Sequence, residues 1–189
     1  MNIPNINWQL LSEALAYYQT QGYQYVEAPW TVRRNITEIT FPKAYEALGH
    51  DNGLNNDLVG SAEQSFIQLA LDGALEKGRY VALTPCFRQE PQISATHRPY
   101  FMKVELFDNL TPTEQQLQKT AQLAFDWFKQ KTQGKLEIVQ TENGLDIHLN
   151  EIEIGSYMLQ SHQDLQWICA TGHAEPRFSV ANLSVADKA

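Results

Sequence analysis

Three consecutive pieces decide the fold: Arg79-Tyr-Val-Ala-Leu-Thr-Pro-Cys-Phe-Arg-Gln-Glu90, a glycine-free loop over residues 91–98 (PQISATHR), and Phe101-Met-Lys-Val-Glu-Leu-Phe107. The last piece alternates. Met102, Val104 and Leu106 fall on one side, and Phe101, Lys103, Glu105 and Phe107 on the other, which is the period of a half-buried strand. Upstream, Arg79–Leu83 and Cys86–Glu90 read as strands on either side of Thr84-Pro85. The polar loop joins them into a hairpin that places Arg88, Glu90 and Phe101 near one another.

Outward from this hairpin, residues 7–20 carry Trp8, Leu11, Leu15 and Tyr18 at helical spacing, and Gly22 stops the helix. Residues 22–29 follow as a short strand ended by Pro29. Residues 31–59 read as polar and irregular, with a loop signal at 50–57 (HDNGLNND). A second helix is predicted over 62–76, capped by Ser61. Thr111-Pro112-Thr113-Glu114 opens a third helix with an N-cap, a proline at the first helical position and a capping box, and Gly134 closes it. Residues 135–140, 145–150 and 151–157 follow as strands. Helix, adjacent strands, helix and further strands predict an α+β fold with a mainly antiparallel sheet flanked by helices, as one domain over 1–189.

The chain has 189 residues, 43% of them apolar, with 14 Lys and Arg against 22 Asp and Glu, for a net charge of −8. That composition supports a sizeable core and excludes a disordered tail, a repeat array and a collagen-like chain. No run approaches the roughly 18 apolar residues needed to span a membrane. The first residues, MNIPNINWQLL, lack the basic and apolar regions of a signal peptide, so a cytoplasmic location is expected. The acidic balance lowers the odds of extended nucleic-acid binding. Cys86 and Cys169 form no metal spacing and read as reduced thiols, with Cys86 a packing residue.

Two patterns carry possible chemistry. In Leu145-Asp-Ile-His-Leu-Asn-Glu-Ile-Glu-Ile-Gly-Ser156, a two-residue turn between antiparallel strands puts Asp146, His148 and Glu153 on one face. Carboxylates gathered on one face repel, and a divalent cation with a preference for oxygen, such as Mg²⁺, relieves that repulsion. The same periodicity fits a charged, solvent-facing sheet. In the hairpin, Arg88 offers a planar fork suited to phosphate and Phe101 a ring suited to stacking on a purine. An ordinary Arg–Glu pair beside a half-buried aromatic reads the same way.

The order of the pieces changes the weighing. Helix and strand to Pro29, Gly60-Ser-Ala-Glu63, Phe87-Arg-Gln-Glu90 with His97 to Phe101, Asp146 to Glu153, and Thr171-Gly-His-Ala-Glu-Pro-Arg177 together resemble the catalytic core of class II aminoacyl-tRNA synthetases over nearly the whole chain. The resemblance implies ATP and Mg²⁺ as substrate and cofactor, and a homodimer built on the first helix and strand. It gives Arg88 the α-phosphate and substrate carboxylate, His97 or Arg98 the γ-phosphate, Phe101 and Glu90 the adenine, and Arg177 the adenine and γ-phosphate. Arg88 and Arg177 are thereby the catalytic pair, Asp146 and Glu153 the Mg²⁺ ligands, and Ser61, Glu63 and Ser156 the amino-acid compartment.

Departures are equally legible. Gly172-His-Ala-Glu-Pro-Arg177 keeps one glycine before its arginine, 12 residues follow it, and residues 91–97 carry no Lys or Arg. The chain has no segment to spare for an anticodon-binding domain, so it resembles a free-standing minimal paralogue. The implied activity is aminoacyl-adenylate formation with transfer to an acceptor, whether tRNA, a carrier protein, a protein side chain or a small molecule. The other readings are a non-catalytic regulatory or amino-acid-sensing subunit, and a ligase that adenylates a carboxylate side chain to form an amide.

Overall fold

A computed structural model describes residues 5–40, 49–50, 56–90 and 92–186. In chain order its elements are α1 (Trp8–Thr20), β1 (Gln24–Tyr25), β2 (Thr31–Arg33), α2 (Arg34–Thr40), β3 (Gly49–His50), β4 (Asn56–Leu58), α3 (Ala62–Leu71), β5 (Arg79–Phe87), β6 (Tyr100–Asp108), α4 (Glu114–Lys129), β7 (Leu136–Gln140), β8 (Leu145–Leu149), β9 (Ile152–His162), β10 (Leu165–Glu175) and α5 (Arg177–Ala186). The architecture is α+β, as the element order predicts.

One seven-stranded sheet, in the order β1-β5-β6-β10-β9-β8-β7, organises the chain. Its pairs are antiparallel except β1 with β5. Strand alternation divides the core between its two faces. Val104, Leu106, Ile147 and Ile168 pack with Leu11 and Tyr18 of α1, Leu117 and Phe128 of α4 and Phe178 of α5. Phe107, Trp167 and Cys169 turn to the other face, where they meet Phe66 and Ile67 of α3 and Val32 of the small sheet β2-β4-β3. Stacking there is direct, with the Phe66 and Phe107 ring centroids 5.0 Å apart.

The helix starts follow from local capping. The Leu10 N–H donates to Asn7 Oδ1 at 3.1 Å, the Glu63 N–H to Ser61 Oγ at 3.3 Å, and the Gln116 N–H to Thr113 Oγ1 at 3.2 Å. Each satisfies a donor left free by the first turn. The cap of α4 is therefore Thr113 and not Thr111, whose own N–H is taken by Asp108 Oδ1 at 2.9 Å. In α1 the buried residues are Leu11, Ala14 and Tyr18, while Trp8 is 58% exposed, so Trp8 is not part of the core stripe.

Other expectations need correction. Residues 79–87 form one continuous strand through Pro85. The Phe87 N–H, two residues on and so on the same side, leaves the sheet to reach Val59 O at 2.8 Å. Pro85 thus presents its missing donor to the edge away from β6, where a proline costs no ladder bond. Helix α3 ends at Leu71, with Gly73 at φ +71 just beyond it. Residues 31–59 are not wholly irregular, since β2, α2, β3 and β4 lie within them. The loop signal at 50–57 falls largely outside the described residues, and its Asn56 and Asp57 belong to β4. Strand β1 has two residues, fewer than the predicted 22–29.

Two bulges set which side chains face the site. Asn150 (φ 50) and Glu151 (φ 72) make the two-residue turn between β8 and β9. His148 pairs with Glu153 next to it, and after a register shift Asp146 pairs with Ser156. In β10 the pairing with β6 shifts between Thr171 and His173, so Gly172 is the extra residue.

Candidate active site

A cavity of 460 Å³ opens on the α3 side of the sheet, over β6, β9 and β10. It collects side chains from distant parts of the sequence. Ser61 and Glu63 come from the start of α3, Arg88 and Glu90 from the end of β5, and His97, Arg98 and Phe101 from the hairpin return. Glu153 and Ser156 of β9 and Arg177 at the start of α5 complete its wall.

Arg88 follows the last paired residue of β5. Its Nε donates to Gly60 O at 3.2 Å, and its guanidinium carbon lies 5.1 Å from the centroid of Phe101. This cation–π contact and the carbonyl fix the fork, and neither terminal nitrogen has a hydrogen-bond partner among the described residues. The loop before α3 is tied to β5 twice, through Gly60 O to Arg88 and through Val59 O to the Phe87 N–H. On the return strand a tight turn orients His97, whose N–H reaches Ser94 Oγ at 3.0 Å.

The inner end is a buried charge cluster. Lys103 Nζ lies 2.8 Å from Glu105 Oε1, and Ser61 Oγ donates to the other oxygen of Glu105. Burial, the largest single influence, works against the Lys103 charge, but Glu105 together with the Cys86 and Cys169 sulfurs outweighs it and holds the ammonium above the ordinary lysine value. Glu63 is 7% exposed and accepts from Trp167 Nε1 at 2.7 Å. Burial first, and the nearby Glu105 charge second, push its carboxyl above the usual range despite that hydrogen bond. A cation placed here meets two carboxylates and only one lysine. Cys169 also lines this end, and burial raises its thiol far above the ordinary value, so it is no nucleophile. Cys86, fully buried and pushed to about 11, is a packing residue.

At the opposite wall, Arg177 Nη1 contacts Glu153 Oε1 at 3.1 Å. Asp146 shares the Glu153 face but does not line the cavity. Burial raises its carboxyl, a Ser156 hydrogen bond lowers it, and the Glu153 charge raises it again. Among the described residues no cluster of three or more His, Cys, Asp and Glu side chains is placed to enclose a metal. Asp146 and Glu153, two mutually repelling oxygen donors beside the Arg177 guanidinium, nevertheless fit Mg²⁺, which takes one or two carboxylates and completes its shell with other oxygen ligands.

No family model matches the chain. Over 116 residues it is 27% identical to serine–tRNA ligase from Cenarchaeum symbiosum (strain A), a match covering 58% of this chain and 27% of that relative. Among solved structures it is similar to the pyrrolysyl-tRNA synthetase PylSc of Desulfitobacterium hafniense, with a TM-score of 0.70 at 15% identity over 95% of this chain and 70% of that one. It is similar also to seryl-tRNA synthetase from Pyrococcus horikoshii, solved with ATP, with a TM-score of 0.72 at 20% identity over 91% of this chain and 49% of that one. The fold is that of the class II aminoacyl-tRNA synthetase catalytic core. The chain spans about half of the seryl enzyme and about a quarter of the curated relative.

Within this fold, ten of the eleven residues expected from sequence line one cavity, and Asp146 does not line it. Sequence reasoning missed the Lys103–Glu105 pair as part of the site. The alternation of β6 already put both on the Phe101 face. It also missed Trp167, because the strand that carries it was not foreseen.

Proposed function

We propose that this cavity activates an amino acid with ATP, forming an aminoacyl-adenylate and pyrophosphate. The observation that carries the reading is the convergence of Arg88, Phe101, Glu153 and Arg177 on one wall system with Ser61 and Glu63. Two anions, a carboxylate and a triphosphate, must meet for this reaction, and the cavity supplies fixed cations for both.

In this reading the ammonium group sits against Glu63, whose raised carboxyl regains its charge beside a cation. Ser61 and Ser156 border the same compartment. The Arg88 fork bridges the amino-acid carboxylate and the α-phosphate. A carboxylate oxygen attacks phosphorus, the bond to the bridging oxygen of pyrophosphate breaks, and the leaving group departs with its charge held by Arg177 and by His97 or Arg98. Arg88 stabilises charge developing on the α-phosphate. The adenine stacks at Phe101 with Glu90 beside it. Asp146 and Glu153 hold Mg²⁺, which when bound neutralises phosphate charge.

The aminoacyl group then passes to an acceptor. The absence of Lys and Arg from residues 91–97 and the net charge of −8 favour one other than tRNA. Trp8, Tyr25 and Trp30, at 58%, 45% and 57% exposure, supply apolar surface for a homodimer through α1 and its following segment. Reduced, buried thiols suit the cytoplasm, and no helix among the described residues is long and apolar enough to cross a membrane.

The deciding experiment is ATP–pyrophosphate exchange across the standard amino acids. Exchange that depends on one or a few of them supports the reading. No exchange with any amino acid, together with no binding of MgATP, overturns it.

A further inference from the structure

His173 and Glu175 are both fully buried, and the activation chemistry uses neither. The alternation of β10 sends Trp167, Cys169 and Thr171 to the cavity side, and continued unbroken it would send His173 and Glu175 there too. The extra residue Gly172 reverses the parity. His173 and Glu175 turn to the helix side, and Ala174 and Pro176 line the cavity instead.

On the helix side the segment is held by a series of buried polar contacts. Tyr18 Oη of α1 donates to Gly172 O at 2.9 Å, and Tyr157 Oη of β9 donates to Thr171 O at 2.8 Å. Trp127 Nε1 of α4 lies 3.2 Å from His173 Nδ1. An indole N–H only donates, so Nδ1 is the unprotonated nitrogen. The proton therefore sits on Nε2, which donates to Glu175 Oε1 at 2.9 Å. Glu175 Oε2 has no hydrogen-bond partner among the described residues. Phe128 and Phe178 close over the imidazole, with centroids at 5.8 and 4.9 Å.

A partly satisfied carboxyl–imidazole couple is a poor way to stabilise a core. Apolar replacements of similar volume are often as stable or more so, because burying polar and charged groups is costly. What the couple does is fix geometry. It spans the last residues of β10, two positions before Arg177 leaves the strand, and ties them to α4.

We propose that His173 and Glu175 are positioning residues, which lock the bulged end of β10 to α4 so that Arg177 enters the cavity opposite Glu153. The inference rests on the nucleotide-site reading for its consequence, but its geometric content stands apart from it. Arg177 would keep a defined place only while the couple is intact.

The test pairs two readouts on the full chain. The main variant replaces the couple by apolar side chains of similar volume, His173→Leu with Glu175→Met, and Glu175→Gln serves as a milder second variant. In the ligand-free protein, the Arg177 side-chain ¹⁵N resonance, assigned through Arg177→Lys, should move to the position of a free arginine in the double variant. That variant should melt at or above the wild-type temperature. It should also bind MgATP at least about tenfold more weakly, the scale of one lost charge-assisted contact. Adding Arg177→Ala should then produce no further loss, because both changes remove the same contact. An unmoved Arg177 resonance in a folded variant overturns the proposal whether or not MgATP binds. So does a loss of MgATP affinity that adds to that of Arg177→Ala. Should the double variant not fold, the same two measurements on Glu175→Gln decide the proposal in the same way. Wild-type protein that fails to bind MgATP overturns the nucleotide site, and the resonance shift alone then decides the positioning role.

Discussion

Replacing Arg88 by alanine separates the structural and chemical work of one side chain. In the ligand-free fold the Arg88 side chain makes one hydrogen bond among the described residues, Nε to Gly60 O at 3.2 Å, and one cation–π contact to Phe101. These contribute about 1 kcal/mol and about 0.5–1 kcal/mol respectively. Arg88→Ala should therefore lower stability by roughly 1.5–2 kcal/mol, or about 3–8 °C in melting temperature for a chain of this size. Its chemical contribution is larger. Two terminal nitrogens are free to meet phosphate and carboxylate oxygens, and each charge-assisted bond is worth about 1.5–3 kcal/mol. A single lost bond is a factor of about 10–150 in MgATP binding or exchange rate, and two lost bonds exceed it. Arg88→Lys keeps the charge without the fork and should fall between the two. Calorimetric titration with MgATP and exchange kinetics, both well below the melting temperatures, read these factors. A folded Arg88→Ala protein with affinity and exchange within about twofold of wild type would refute the site, since no phosphate could then be resting on this guanidinium.

Asp146→Asn and Glu153→Gln should each leave the fold intact and abolish Mg²⁺-dependent exchange. The ligand-free protein should bind Mg²⁺ weakly, and more tightly once ATP is present; unchanged exchange in Asp146→Asn would return both residues to a charged sheet face. Gly172→Ala would bring a Cβ within 2.7 Å of Tyr18 Cε2 and 3.1 Å of Val104 O, so overpacking should cost about 1–3 kcal/mol by chemical denaturation, and an unchanged midpoint would contradict the close approach. Glu63 has a raised folded carboxyl pKa, so its stability contribution is complete below the unfolded value of about 4.3 and is lost as pH rises through the folded value. Glu63→Gln should therefore gain on wild type in melting temperature between about pH 4 and pH 8, and a constant gap would argue against a raised pKa. Light scattering at micromolar concentration should give a particle of twice the chain mass, and a monomer would count against the α1 interface.

How much of this was legible in the sequence depended on the type of signal. The β6 alternation, the Ser61 cap and the Thr-Pro-Thr-Glu run at 111–114 are local, and they located the starts of their elements to within a few residues. Strand β10 was missed because it is buried on both faces over most of its length and shows no alternation. Pro85 suggested a break because the sequence cannot say which edge its missing N–H faces. The small sheet escaped because its strands have two or three residues and β2 pairs with β4 only across the intervening α2 and β3. In the site, the odd-sum pairing of residues across the turn holds next to it, where His148 meets Glu153. The bulge further on pairs Asp146 with Ser156 and keeps all four on one face. Nothing in the residue types announced that His173 and Glu175 would turn away from the cavity, because a bulge is a tertiary choice about where an extra residue is absorbed.

The two ties between the loop before α3 and the end of β5 have a thermodynamic consequence. The carbonyls of Val59 and Gly60 make Ser61 and Glu63 part of the same rigid body as Arg88 and Phe101. The conformational freedom of both compartments is given up together, during folding and before any ligand arrives. On the proposed function, neither ligand then has to order these four residues before the other binds, so the free energy of each contact goes into affinity and orientation. Binding order becomes a matter of ligand concentration and charge, not of which compartment must form first.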